Sequence, residues 1–272
     1  MARPQPLPAK PERSESDGAS RSDREFMSTL AKGLKVLASF GEQRPTLTLS
    51  EAAALAGLSR AAARRVLRTL ASLGYVVQEG RHFALAPRVL ELGFGYLSTQ
   101  SWIDLVEPHM KALSDAVDES CSAAILQGTE IVYVARMPAP YRLLSTMIAV
   151  GTRLPAFHTS LGRAQLGYLD EAELWSRLKS IRLDPYTPST IVHPAALVER
   201  IRHDHEQGFS IVDEELERAL RSIAVPILTR SGRNVGAINV STNAARMTRN
   251  ELRERVLPQL AAIRDRVAPL LV

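Results

Sequence analysis

Four arginines lie close together at a spacing that suits polyanion chemistry. Arg60, Arg64 and Arg68 recur at i, i+4 and i+8, with Arg65 beside them. On a helix this interval sets the guanidinium groups in one stripe. Ala62, Val66, Leu70 and Leu73 fall on the other side, with Leu67 beside them, as the apolar face of an amphipathic helix does. A slim, Ala-rich helix presenting such a stripe fits the major groove of DNA. An ordinary solvated arginine face is the alternative, and the surrounding sequence decides against it. The stretch from Ser50 to Glu79 reads as helix, tight turn, helix, strand. Ala52, Ala53, Leu55 and Ala56 give the first helix an apolar side, Gly57 breaks it, Leu58 plugs the corner, and Ser59 is a good N-cap for the second helix. Residues 75–78 and 82–85 read as two short strands around Glu79-Gly80-Arg81, the wing of a winged helix-turn-helix. The expected DNA face is therefore Ser50, Ser59, Arg60, Ala61, Arg64, Arg65 and Arg68. Arg81 and His82 at the wing tip are placed to reach the backbone or minor groove, with a plain solvated turn as the alternative.

Charge supports that reading. The net charge of +5 is small, but residues 24–85 hold nine Lys/Arg against four Asp/Glu, while residues 86–272 hold 21 of each and residues 1–23 four of each. The whole excess sits on the helix-turn-helix segment, as a footprint for phosphate requires. An apolar fraction of 45% and a charged fraction of 23% are those of a soluble globular protein. A length of 272 residues suits one large or two ordinary domains. No signal-peptide core and no run approaching a membrane span is visible, so a cytoplasmic protein without membrane contact is expected. Cys121, the single cysteine, excludes an internal disulfide framework and reads as buried packing.

The rest of the chain falls into recognisable blocks. Residues 1–23 are rich in Pro, Ser, Arg and Glu and are expected to be a disordered tail. Phe26, Leu30, Leu34, Leu37 and Ala38 recur at helical spacing, so residues 24–85 form the DNA-binding domain. Residues 86–101 read as a linker helix, apolar on more than one side, and residues 102–272 as a second domain opened by a helix near 102–117. Strands are expected over 122–126, 131–135, 143–149, 209–212, 223–228 and 235–240, and helices over 161–169, 171–178, 194–206 and 248–271. Strands flanked by long helices define an α+β domain with an antiparallel sheet.

In this arrangement the chain resembles the IclR family of bacterial transcriptional regulators over nearly its whole ordered length. The resemblance rests on Leu58–Arg60, Leu70–Tyr75 and Leu90–Gly93, and on Val150–Pro155, Thr159–Ala164, Gly208-Phe209, Asp213–Glu215, Ile223–Pro226 and Ala237–Ser241. Residues 134–136, 153–155, 159–160 and 162–163 look most like the branch that controls protocatechuate, 4-hydroxybenzoate and β-ketoadipate catabolism. The family implies a GAF-like second domain that binds a small metabolite, and a dimer or dimer of dimers on a palindromic operator of double-stranded DNA. RNA polymerase is a further candidate partner. Carried over residue by residue, its effector-loop motif places Ser160, Leu161 and Gly162 at the ligand, its last strands Ser222, Ile223, Asn239 and Ser241, and its acidic loop Asp213, Glu214 and Glu215. Asn239 stands where a serine is common, and Leu161 where smaller residues occur.

Physical chemistry adds to this assignment. A helix beginning after Thr159-Ser160 would offer free N–H groups and hydroxyls to a carboxylate. Arg136 and Arg142 are candidates to pair with that carboxylate, or else members of structural ion pairs, and His158 lies close enough to be a contact. An enzyme is the rival class. No nucleophile elbow, P-loop or His-Glu-x-x-His occurs, and the acidic run 213–217 has no matched partner. His203-Asp-His205 places its two imidazoles at i and i+2, which point apart on a helix. No catalytic residue, cofactor or metal is expected. An effector-independent architectural DNA-binding protein is the second rival, disfavoured by the neutral 187 residues from 86 to 272 that hold the linker and second domain.

Overall fold

The computed structural model describes residues 26–41, 43–139 and 148–271. The expected tail, Arg142 and most of the strand expected over 143–149 lie outside the described residues. The chain divides into two compact units between Gly93 and Phe94.

The first unit contains α1 (Ser28–Leu37), β1 (Thr46–Thr48), α2 (Leu49–Ala56), α3 (Arg60–Ser72), β2 (Val76–Glu79) and β3 (His82–Leu85). Its local chemistry is explicit. The Thr48 hydroxyl accepts from Glu51 N–H at 3.3 Å while the Glu51 carboxylate accepts from Thr48 N–H at 2.7 Å. This reciprocal capping box starts α2 one residue before Ser50. Gly57 ends α2 at φ +65°, a left-handed conformation that favours glycine. The Ser59 hydroxyl then accepts from Ala62 N–H at 3.2 Å and caps α3. β1 and β2 flank β3 in an antiparallel sheet, and the facing pair Leu47 and Phe83 joins Val36, Phe40, Ala52, Val66, Leu67 and Leu70 in the core.

Two expectations for this unit are corrected. Leu55 and Leu73 are exposed, and the buried side of α3 is Ala63, Val66, Leu67 and Leu70. Most of the apolar stripe of α1 faces outward, with Phe26, Leu30 and Leu34 at 67%, 58% and 55% exposure, while Val36 fills the core and Leu37 packs against it.

The linker helix α4 (Val89–Leu97) spans the division and has no buried residue; Leu90, Leu92, Phe94 and Tyr96 are exposed.

The second unit is a three-layer sandwich. Its six-stranded sheet has the order β6-β5-β4-β9-β8-β7, from β4 (Ser120–Gln127), β5 (Glu130–Met137), β6 (Arg153–Pro155), β7 (Ser210–Asp213), β8 (Leu220–Leu228) and β9 (Asn234–Asn243). All pairings are antiparallel. One face packs on α5 (Ser101–Val117) and α10 (Leu257–Val267) through Val106, Met110, Cys121, Ile223, Val225, Ile238, Val240 and Leu260. The other packs on α6 (Ser160–Leu166), α7 (Glu171–Lys179) and α8 (Pro194–Gln207) through Phe157, Leu161, Leu166, Leu197 and Ile201. The alternation of side chains across a strand assigns each residue its face. Gly236 is glycine because a Cβ there would lie 2.6 Å from the ring of buried Trp102.

The C-terminal helix is interrupted. Between α9 (Arg249–Glu251) and α10, Leu252–Val256 form a π-helical turn, placed just before Pro258, whose missing N–H cannot continue an α-helical ladder.

Candidate DNA-binding and effector-binding sites

On α3, Arg60, Ala61, Arg64, Arg65 and Arg68 are all exposed, as are Ser50 at the start of α2 and Arg81 and His82 on the wing. Among the described residues no acid pairs with any of the four α3 arginines. The stripe is thus left with its donors free for phosphate and base edges, whereas the Ser59 hydroxyl is occupied by the cap. The wing turns through Gly80 at φ +61°, with Gln78 donating to the Gly80 carbonyl at 2.8 Å. Arg88, to which no sequence motif points, ties the entry of α4 to the end of the recognition helix. It donates to the Leu73 carbonyl at 2.7 Å, lies 5.2 Å over the Tyr75 ring and pairs with Glu91 at 3.4 Å. A cation at a helix C-terminus also complements the helix dipole.

In the second unit, the sheet face toward α6 carries a polar strip. Register sets Arg136 beside Ser122, Ser122 beside Asn239 and Asn239 beside Ala224; one step along, Ser120 faces Ser241 and Ser241 faces Ser222. Directly opposed residues of neighbouring strands share a face, so Arg136, Ser120, Ser122, Asn239, Ser241 and Ser222 line one surface. Ser120 and Ser122 are invisible in sequence, because a serine in a small-residue strand carries no facing signal until its register is known.

Arg136 is half-buried and has no acidic partner among the described residues; its contacts are two serine hydroxyls at 3.5 Å, Ser122 and Ser120. Burial lowers the pKa of its guanidinium. Nearby elements supply polar atoms with no partner among the described residues: His158 Nδ1, Ser160 Oγ and Asn239 Oδ1, in side chains that are at least 97% buried. A buried polar atom left unsatisfied costs about 1–3 kcal/mol. Native structures keep such atoms where something else completes them. His158 packs its ring edge-on against Tyr186, 5.3 Å between centroids. Burial first, then the Arg163 cation, push its pKa down to about 4, with Asp184 opposing.

The family models place this geometry. Residues 29–80 match the IclR helix-turn-helix domain and residues 94–268 match the bacterial transcriptional regulator IclR C-terminal domain. The chain belongs to the IclR family of transcriptional regulators. It is a DNA-binding regulator of that family and not an enzyme. It is 42% identical over 244 residues to the Pca regulon regulatory protein of Pseudomonas putida, covering 89% of this chain and 84% of that one. Among solved structures, a putative transcriptional regulator from Rhodococcus sp. RHA1 matches with a TM-score of 0.79 and 41% identity, covering 89% of this chain and 97% of that one. A double mutant of an Acinetobacter transcription factor's inducer-binding domain, in complex with 3-hydroxybenzoic acid, matches with a TM-score of 0.59 and 26% identity, covering 62% of this chain and 98% of that one.

Several residues expected at the effector of an IclR regulator have other occupations. Ile223 points to the α5 side of the sheet, away from the polar strip. Leu161 is core packing. Gly162 is glycine because a Cβ would sit 2.1 Å from the Ala156 carbonyl oxygen. The Thr159 hydroxyl caps α6, accepting from Gly162 N–H at 3.1 Å, so the helix start offers fewer free N–H groups than expected. The acidic run does have partners. Asp213 pairs with Arg221 at 2.7 Å, and the Glu214 carboxylate accepts from Ala219 N–H at 2.8 Å. Glu215 forms a two-pronged pair with Arg163, which is itself fully buried. In the sequence Arg163 stands out only as part of a motif; an arginine inside Ser-Leu-Gly-Arg-Ala-Gln-Leu is the signal that a buried acid must exist elsewhere.

Proposed function

We propose that the polar strip binds a small carboxylic acid, an aromatic or hydroxy acid of aromatic-compound catabolism, and that this binding controls operator affinity. The observation that carries the reading is the coincidence, on the α6 side of the sheet, of Arg136, a cation without an acidic partner among the described residues, with the orphaned atoms of His158, Ser160 and Asn239. A carboxylate on Arg136 gains charge-assisted hydrogen bonds, and a remote hydroxyl or keto group supplies partners to the orphaned atoms. The likeness to the Pca regulon regulator and to the hydroxybenzoic-acid-bound domain supports the same class. Ser222 and Ser241 belong to the site with Ser120 and Ser122.

The chain acts in the cytoplasm on palindromic double-stranded DNA as a homodimer or dimer of dimers, with RNA polymerase as a further partner. The exposed apolar residues of α1 and α4 support self-association, since clustered apolar surface of this kind marks an interface. Acid binding shifts the population of one arrangement of the second unit, and α4 passes the shift to the spacing of two recognition helices. Titration of the full chain with protocatechuate, 4-hydroxybenzoate and β-ketoadipate, followed by calorimetry and thermal shift, tests the reading. At least one acid should bind and raise the melting temperature, and Arg136→Gln should weaken it at least tenfold. If no acid stabilises the protein, it regulates DNA without an effector of this class.

A further inference from the structure

Arg163 spends none of its donors on solvent. Its Nε donates to the Phe157 carbonyl at 2.8 Å, its Nη1 to one Glu215 oxygen at 2.8 Å, and its Nη2 to the other. The side chain is 0% exposed and that of Glu215 9%. Burying an ion pair offers little net stability over an apolar pair of similar volume. What this fork does provide is geometry, because a planar guanidinium bonded through all three nitrogens fixes the relative positions of the groups it touches.

Those groups connect to His158 from two directions. The Phe157 carbonyl belongs to the peptide bond that leads into His158. The Glu215 carbonyl accepts from the Thr190 hydroxyl at 2.6 Å, and the Glu214 carbonyl from the Thr187 hydroxyl at 2.5 Å. Thr187 follows Tyr186, whose ring meets that of His158. The circuit thus runs from the backbone of His158, through Arg163 and Glu215, into the 184–190 segment and back to the His158 ring. A second tie holds α6 to the sheet. Gln165 accepts from Leu126 N–H at 2.8 Å and donates to the carbonyls of Ala124 at 3.2 Å and Leu161 at 2.9 Å. It closes backbone groups beside the bulge at Ala123/Ala124, where pairing of β4 with β9 ends.

We infer that Arg163 and Glu215 are positioning residues of the effector site: their ion pair holds the His158 ring and the Ser160 hydroxyl in place and fastens the 184–190 segment beside them. This rests on the effector-binding reading above. The charged and titratable groups facing His158 are Arg163 from α6 and Asp184 and Tyr186 from the connecting segment.

The test uses the full chain and the variants Arg163→Lys and Glu215→Gln. The first keeps the cation but cannot serve Phe157 and both carboxylate oxygens. Arg221→Lys, which removes the two-pronged contact with the neighbouring Asp213, is the control for a merely structural ion pair. Calorimetric titration with protocatechuate, 4-hydroxybenzoate and β-ketoadipate, below each variant's melting range, should show at least tenfold weaker binding in the two test variants and under threefold change in the control. Binding within threefold of the parent in both test variants overturns the inference, whatever happens to their stability. The imidazole signals of His158, followed by NMR without ligand, are the second readout. They should shift in both test variants and not in the control. Should no acid bind the parent chain, the effector reading fails and this readout alone decides: unchanged His158 signals overturn the positioning role, and shifted ones support it.

Discussion

The guanidinium groups of Arg64 and Arg65 are exposed with no acidic partner among the described residues, whereas that of Arg163 is enclosed and bonded through all three nitrogens. Residue type alone does not separate these roles; burial and partners do. Arg64→Ala and Arg65→Ala are expected to weaken operator binding by about 1–3 kcal/mol each if they reach bases. If they hold phosphates instead, each substitution should lower the salt slope by about one. Either way acid affinity should hold, as fluorescence anisotropy and calorimetry would show; loss of both functions in a folded variant would refute this division. His158 has a separate signature. Its folded value near 4 lies below the ordinary 6.5, so on acidification the unfolded chain takes the proton first. Stability is then lost as pH falls from about 6.5 to about 4, by on the order of 3 kcal/mol, and His158→Asn should flatten that loss in thermal melts. Comparing the two profiles isolates His158 from Asp204, whose carboxyl burial pushes up.

At the scale of elements, what is legible in the sequence is whatever local chemistry decides. The Ser59 cap, the Gly57 stop, the Gly80 turn and the arginine stripe are short-range signals, and α3 and the β2–β3 hairpin follow from them. The strands β1 and β6, three residues each, carry too few residues to show a period. The outward apolar stripe of α1 has the right spacing, but which face a helix buries depends on the neighbours it meets. The same limit hides Ser120, Ser122 and the Arg163–Glu215 pair, whose members lie 52 residues apart. Gly162 tests how tightly α6 is seated. Gly162→Ala forces a Cβ onto the Ala156 carbonyl, so either α6 or the preceding turn must move. A loss of about 3 kcal/mol in urea unfolding is expected, together with weaker acid binding. By comparison Thr48→Ala removes one cap and should cost about 1 kcal/mol, leaving acid binding intact.

Across the whole molecule, charge alone distinguishes the two units. All of the net +5 lies within residues 24–85, so operator binding should fall steeply between about 50 and 200 mM salt. Binding of a single carboxylate in a half-buried site should change little over that range. Parallel titrations at both salts would show it, and equal sensitivity would place the acid on the basic unit instead. In the sequence the polar strip is legible only in part, Ser222, Asn239 and Ser241 by resemblance and Arg136 by its charge; four strands have to be put in order before it becomes a surface.

The packing of Trp102 under Gly236 has an optical consequence. The chain holds two tryptophans, Trp102 and Trp175, and both belong to the second unit, one on each side of its sheet. The DNA-binding unit is therefore dark at tryptophan wavelengths. Emission excited there reports the second unit alone, so an unfolding curve followed by fluorescence would miss the first unit entirely. Single-tryptophan variants would let the α5 and α7 layers be watched separately while an acid is titrated.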